Sequence, residues 1–217
     1  MTITRFGLLV AAGCIVALAE PPLPELKVEP KPGGSVLFIH NKATQPLTAF
    51  LIELVDYPGS SYALWQDEII KGEPVGPGGE EKIEITNMTV GAVPEYVKMR
   101  AAIYSDGTSS GIPEKVAQLV ARRRSQLKVC RDLSAMLESE TSKGASTAEI
   151  SKDLEQWIES TAPKGKVDRN SQAAIDQAAK QMLVTHFKSE LGAQPLASVL
   201  AHVHALEQQL AYSRPAL

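Results

Sequence analysis

Tyr96-Val97-Lys98-Met99-Arg100-Ala101-Ala102-Ile103-Tyr104 runs through Ser105-Asp106-Gly107-Thr108-Ser109-Ser110-Gly111-Ile112 to Pro113, and across that joint the chain changes its period. On the N-terminal side Val97, Met99, Ala101 and Ile103 alternate with polar or small neighbours, the period of two that puts one strand face inward. On the far side apolar residues recur at Val116, Leu119, Val120, Leu127, Cys130, Leu133 and Leu137. That is a helical stripe. Pro113 and Glu114 suit a first helical turn, whose N–H groups have no partner and whose end favours an acid. The joint therefore separates a β half from an α half.

Working back from the joint, Leu26-Lys27-Val28-Glu29 reads as a first strand stopped by Pro30-Lys31-Pro32-Gly33-Gly34. Ser35 to Asn41 reads as a second, apolar on both faces as a strand covered on both sides would be. Leu47 to Val55 follows as a third after the turn Asn41 to Pro46. The turn Tyr57 to Ser61 precedes a fourth strand, Tyr62 to Trp65, with a weak fifth near Glu68-Ile69-Ile70. Glu81 to Thr86 alternates with Ile83 and Ile85 inward, behind the Pro74 to Gly79 loop. Six or seven short strands between Gly/Pro turns over about 80 residues predict an antiparallel β-sandwich of immunoglobulin or fibronectin III character. No Cys–Trp–Cys pattern marks a true immunoglobulin domain.

Working forward, Thr141 to Ala145 breaks the long helix and Ser146-Thr147-Ala148-Glu149 forms a capping box. Ile150, Leu154, Trp157 and Ile158 give the next helix one apolar face. A third helix runs from about Ser171 to Leu191 with Ile175, Ala178, Met182 and His186 as its stripe and Gly192 as its stop. Pro195 opens a fourth, facing inward with Leu196, Val199, Leu200, Val203, Leu206 and Leu210. The predicted class is α+β: a sandwich over 26–110 and a four-helix region over 111–217, with the first long helix bridging the halves.

The N-terminus carries an address. Met1 to Arg5 is short and basic, Phe6 to Ala19 is uncharged and apolar, and Ala17-Leu18-Ala19 precedes Glu20-Pro21-Pro22. An apolar run shorter than the ~20 residues of a membrane helix, ending in A-x-A, reads as a signal peptide over 1–19. A proline-rich tether over 20–25 follows it. Ala11-Ala12-Gly13-Cys14 opens a second reading, lipidation of Cys14. It lacks the bulky residue three before the cysteine and would cut the apolar run in half. Cleavage after Ala19 leaves Cys130 as the one remaining cysteine, so the fold rests on its core instead of a disulfide.

Arg100-Ala101-Ala102-Ile103-Tyr104-Ser105-Asp106-Gly107-Thr108-Ser109-Ser110-Gly111 with Arg122-Arg123-Arg124, and Leu47-Thr48-Ala49-Phe50 earlier, resembles a group of uncharacterised secreted proteins of the acidobacterial kind. Those have a β-domain ending in an Asp-Gly-Thr/Ser turn and then an Arg-rich helix. The resemblance spans about Val36 to Leu137 and implies an exported protein; it carries over no catalytic residue.

Chemistry is harder to find. A formal charge of −3 and a pI near 5.9 give no global reason to expect a nucleic-acid partner, and none is expected. Of the four histidines, His202 and His204 are two apart on a helix and point about 200° apart. His40 and His186 are read as having no carboxylate or cysteine at ligand spacing. No metal, cofactor or catalytic residue is predicted. Asp106 and Gly107 read as a structural turn; the calcium-loop reading fails for want of alternating acids and a terminal glutamate. Asp106 and the hydroxyls near it could hold the long helix to the sheet edge. Asn87-Met88-Thr89 matches a glycosylation sequon and is given no role.

Arg122, Arg123, Arg124, Lys128 and Arg131, with Lys115, make the long helix basic. They are a candidate contact surface for anionic lipid, polysaccharide or an acidic partner; the competing reading is a solvated face paired with acids such as Glu155 and Glu159. Arg123 sits where the stripe expects an apolar residue, so its stem is expected to pack and its guanidinium to reach out. The preferred function is an exported, non-enzymatic interaction or structural module of the bacterial envelope or extracellular space. Its expected partner is a protein or envelope component, with membrane contact only through a lipidated Cys14. The competing class is a periplasmic hydrolase whose residues meet only in three dimensions.

Overall fold

The computed structural model describes residues 20–54, 62–86, 96–163, 165, 168 and 171–215. The leader over 1–19 with Cys14, the turn at 57–61 and the sequon at Asn87 lie outside them. The elements run β1 (Glu25–Lys31), β2 (Gly34–His40), β3 (Leu47–Leu54), β4 (Tyr62–Asp67), α1 (Glu68–Lys71), β5 (Glu80–Thr86), β6 (Val97–Tyr104), β7 (Ser109–Gly111), α2 (Pro113–Lys143), α3 (Thr147–Ser160), α4 (Gln172–Leu191) and α5 (Leu196–Ala211). The class is α+β. The described strands form two antiparallel sheets, β1-β2-β5 and β4-β3-β6-β7.

The two sheets face each other around Leu37, Ile39, Leu47, Phe50, Ile52, Ala102 and Tyr104, with Leu26, Val28, Ile83 and Ile85 at the margin. The strand buried on both faces is β3, not β2. Ala49 and Leu51 of β3 and Ala101 and Ile103 of β6 form an outer face that packs under Val116, Leu119 and Val120 of α2. In β2 Ser35, Leu37 and Ile39 turn inward; Val36 and Phe38 are half-buried on the open side. The Pro-Gly turn also stops β1 later than expected, since Pro30 still pairs with Ser35 and Lys31 with Gly34. Proline is tolerated there because β1 is an edge strand.

A third core lies among the helices. Leu127, Cys130, Leu133 and Leu137 of α2 meet Ile150 and Leu154 of α3, Leu183, Val184 and Phe187 of α4, and Val199, Val203 and Leu210 of α5. The long helix thus serves two cores, its first turns on the sheet and its later turns among the helices. Its start requires glycine at 111: φ is +101°, and a Cβ there would stand 2.2 Å from the Arg100 carbonyl oxygen. The capping box is formed, Glu149 N–H donating to Ser146 Oγ at 3.4 Å and Ser146 N–H to Glu149 Oε2 at 2.8 Å.

Further expectations change. Glu68-Ile69-Ile70 is one helical turn, not a strand. Asp67 Oδ1 accepts from Ile69 N–H at 3.1 Å and Gly72 closes the turn in the left-handed region, so caps override a β-prone triplet. Ile69 and Ile70 then reach the helical core. In α4 the buried stripe is Ile175, Ala179, Leu183, Val184, Phe187 and Leu191, rotated from the expected Ile175, Ala178, Met182 and His186. The bulkier Leu183 and Phe187 take the interior, which turns His186 to the surface. The 20–24 segment is no free tether: Tyr104 OH donates to the Pro22 carbonyl at 2.6 Å and Pro24 is buried.

Candidate functional site

The basic run on α2 is divided by burial. Arg123 is fully buried. Its Nε donates to Asp67 Oδ2 at 2.7 Å and its Nη2 to Asp67 Oδ1 at 3.0 Å, a two-pronged pair. Nη2 also donates to the Thr48 carbonyl at 3.2 Å, and Nη1 to the Arg214 carbonyl at 2.9 Å. Thr48 is the extra residue of a register shift opposite Ile103 and Tyr104, and its carbonyl is taken by the arginine. The guanidinium therefore turns inward rather than out, tying β3, β4, α2 and the C-terminal segment together.

The neighbouring cations have other placements. Arg122 stacks on Trp65 with its guanidinium 4.0 Å from the ring centroid, and burial pulls its pKa down to about 10. Arg131 Nε lies 3.5 Å from Glu207, and Lys128 Nζ 3.9 Å from Asp132. Arg124 is exposed. Glu155 pairs instead with Lys188 of α4. The five residues are thus not one continuous surface. Asp106 Oδ1 accepts from Thr108 N–H at 2.9 Å and from Thr108 Oγ1 at 2.6 Å, which holds its carboxyl below the usual range. Gly107 at φ +90° completes that turn. Cys130 is buried and its thiol is pushed up to about 12 by burial, with Glu207 adding to the shift. It is an inert core residue.

Beside Asp67 lies Glu68, fully buried, with neither carboxyl oxygen hydrogen-bonded. Burial pushes its pKa up to about 7; Lys71, 3.6 Å away, pulls against this while Glu81 and Asp67 add to it. A cleft of about 310 Å³ lies between α2 and α4, lined by Ser125, Lys128, Asp132, Thr161, Asp176 and Lys180 among others. Its polar groups are engaged with one another: Ser125 Oγ donates to Asp176 Oδ1 at 2.5 Å, and Lys180 Nζ donates to Thr161 Oγ1 at 2.7 Å while lying over Trp157.

The histidines divide as well. His40 lies on the open face of β2, between Glu25 and Glu80 in register. His204 Nε2 is 3.1 Å from Glu138 of α2. His186 and His202 come together on Glu190: His186 Nε2 is 3.4 Å from its Oε1, and His202 Nδ1 is 3.0 Å from both Oε1 and Oε2. The ring centroids are 5.8 Å apart, and each ring meets Phe187 edge-on, at 5.0 and 5.2 Å. Sequence reasoning missed Glu190. The signal was there: His186 and Glu190 are four apart on one helix face. Positions 186 and 202 also lie equally far, eight residues, on either side of Gln194 in the α4–α5 link, so an antiparallel hairpin brings them level.

No family model, curated protein or solved structure matches the chain.

Proposed function

We propose that the chain is an exported, non-enzymatic interaction module of the bacterial envelope or extracellular space, built on a fibronectin III-like sandwich with a four-helix region behind it. The strand orders support the sandwich assignment. Taking the fourth strand from a four-plus-three immunoglobulin arrangement and placing it beside the third gives the three-plus-four division seen in β1-β2-β5 and β4-β3-β6-β7. The leader over 1–19 and the resemblance to secreted acidobacterial-type proteins support export.

One observation carries the reading. Helix α2 covers the outer face of the four-stranded sheet, whereas the outer face of β1-β2-β5 is open and patterned in rows. Lys27, Phe38 and Lys82 stand in register, flanked by the rows Glu25-His40-Glu80 and Glu29-Val36-Glu84. Lys27 Nζ lies 5.7 Å from the Phe38 ring centroid. Lys27 pairs with Glu29 and Lys82 with Glu84 across the rows, so such a face fits a protein surface that meets Phe38 with an apolar group and exchanges these exposed ion pairs around it. Lys and Pro on the edge strand β1 discourage simple strand addition, so the contact is made through the face.

The competing reading, a periplasmic hydrolase, calls for a cleft gathering a histidine with a carboxylate and a hydroxyl. The α2–α4 cleft gathers carboxylates and hydroxyls without a histidine. The test is a photo-crosslinking residue at Phe38 in the full chain, made in the native host, with the same residue at Arg124 as reference. Export predicts a mature mass beginning at Glu20, or at an acylated Cys14 in the anchored form. The module reading predicts a discrete protein adduct at 38 and none at 124. A mass retaining residues 1–19, or equal labelling at both positions, overturns it.

A further inference from the structure

We propose that His186, Glu190 and His202 form a binding site for a divalent transition-metal ion of the zinc, copper or nickel class. The inference stands apart from export and from the open sheet face. One ligand atom from each residue, the two imidazole nitrogens and a carboxylate oxygen, all lie within 4.8 Å of one another. Ligands held about 2.0–2.1 Å from a tetrahedral zinc stand roughly 3.3 Å apart. The observed separations of 3.4 Å (His186 to Glu190) and 3.0 Å (His202 to Glu190) bracket that value. Two imidazoles and one carboxylate suit these ions and are a poor set for calcium or magnesium, which favour all-oxygen shells.

The support beneath the ligands is as informative as the ligands. Phe187 is fully buried, and its ring meets both imidazoles edge-on, so the histidines rest on a fixed part of the core. Glu190 is sheltered, its side chain 17% exposed, while His186 and His202 are about half exposed, at 51% and 48%. The carboxylate is thus held between two rings whose outer side is open to solvent. His186 and Glu190 lie in the last turns of α4, where the partial negative charge of the helix end favours a cation, and His202 reaches them from the second turn of α5. Three protein ligands leave a fourth position open to water or to a donor from a partner.

The experiment is calorimetric titration of the tag-free, full chain with Zn²⁺, repeated on His186→Ala, His202→Ala, Glu190→Gln and His204→Ala. Circular dichroism and thermal unfolding of each variant verify the fold; the two site histidines are half exposed, so their truncation leaves it intact. Saturable uptake of one ion per chain is expected, weakened more than about 100-fold in either site-histidine variant, more than outer-shell changes usually cost. Glu190→Gln should weaken it as well, and His204→Ala, on the same helix as His202, should leave it unchanged. In NMR spectra Zn²⁺ should move the ring signals of His186 and His202 and leave those of His40 and His204 in place. No saturable uptake, uptake that survives either site-histidine variant, or an equal loss in His204→Ala overturns the proposal.

Discussion

The Arg123 joint and the end of the α4–α5 hairpin each set a carboxylate against nitrogen donors, under opposite conditions. At the joint, Arg123 is fully buried and Asp67 nearly so, and the guanidinium meets two carboxylate oxygens and two backbone carbonyls. At the hairpin, Glu190 is sheltered but the two imidazoles above it face water. A buried charge must be paired and hydrogen-bonded because desolvation is expensive, and at the joint the paired groups satisfy one another inside the protein. A half-exposed cluster needs no such completion. The difference separates polar groups that build the molecule from polar groups free to recognise something else.

The sharpest way to break this comparison is Arg123→Met. It leaves Asp67 buried without its partner and should cost about 3–5 kcal/mol in urea unfolding. A loss below about 1 kcal/mol would mean that the joint is not sealed in solution. Replacing Asp67 as well removes the orphaned charge and should recover part of the loss, though not the α1 cap, worth about 1 kcal/mol.

Glu68 tests the same region through pH. Its carboxyl rises from an ordinary value of 4.5 to about 7 because burial desolvates the charged form, against the pull of Lys71. Between those values the folded chain keeps a proton that the unfolded chain has released. The stability associated with neutral Glu68 is therefore full below about 4.5 and is lost as the pH rises through about 7. From pH 5 to 8 the loss should be about 2 kcal/mol, and Glu68→Gln should abolish it. An identical pH profile in the variant would place the proton elsewhere. Ser146→Ala, which touches neither Arg123 nor Glu190, gives the scale of an ordinary defect. It removes one side of the capping box and should cost about 1 kcal/mol, read from the urea midpoint.

Side-chain period made much of this legible from sequence alone. The alternation in Val97 to Tyr104 and the stripe from Leu119 to Leu137 are repeated local signals that find the strand and the helix. The single inward face expected of the strand is split at a register shift, Val97 and Met99 joining the sandwich core and Ala101 and Ile103 turning under α2. The Ser146–Glu149 box is legible for the same reason, all its parts lying within four residues. What was hidden depends on partners far along the chain. Arg123 reads as a surface residue until Asp67, 56 positions earlier, is brought to it. The turn at Glu68 hides because two isoleucines resemble a strand when Asp67 is not yet known to cap. In α4 small residues on several faces blur the phase. Choosing the stripe through Met182 put His186 inward and removed its link to Glu190 from view.

The smallest effect bears most directly on the hairpin. His202→Ala removes a half-exposed ring that fills no cavity, so without metal it should change stability by less than about 0.5 kcal/mol. The same substitution should remove the stabilisation that Zn²⁺ confers on the parent chain, since an ion bound only to the folded state raises its stability by mass action. Thermal unfolding with and without Zn²⁺ separates the two effects. A large loss in metal-free buffer would make His202 a part of the fold, like Arg123, and the contrast between the regions would collapse. A small loss together with a vanished zinc shift would make Glu190 and its two histidines a metal site, set on a helix end that the core already holds still.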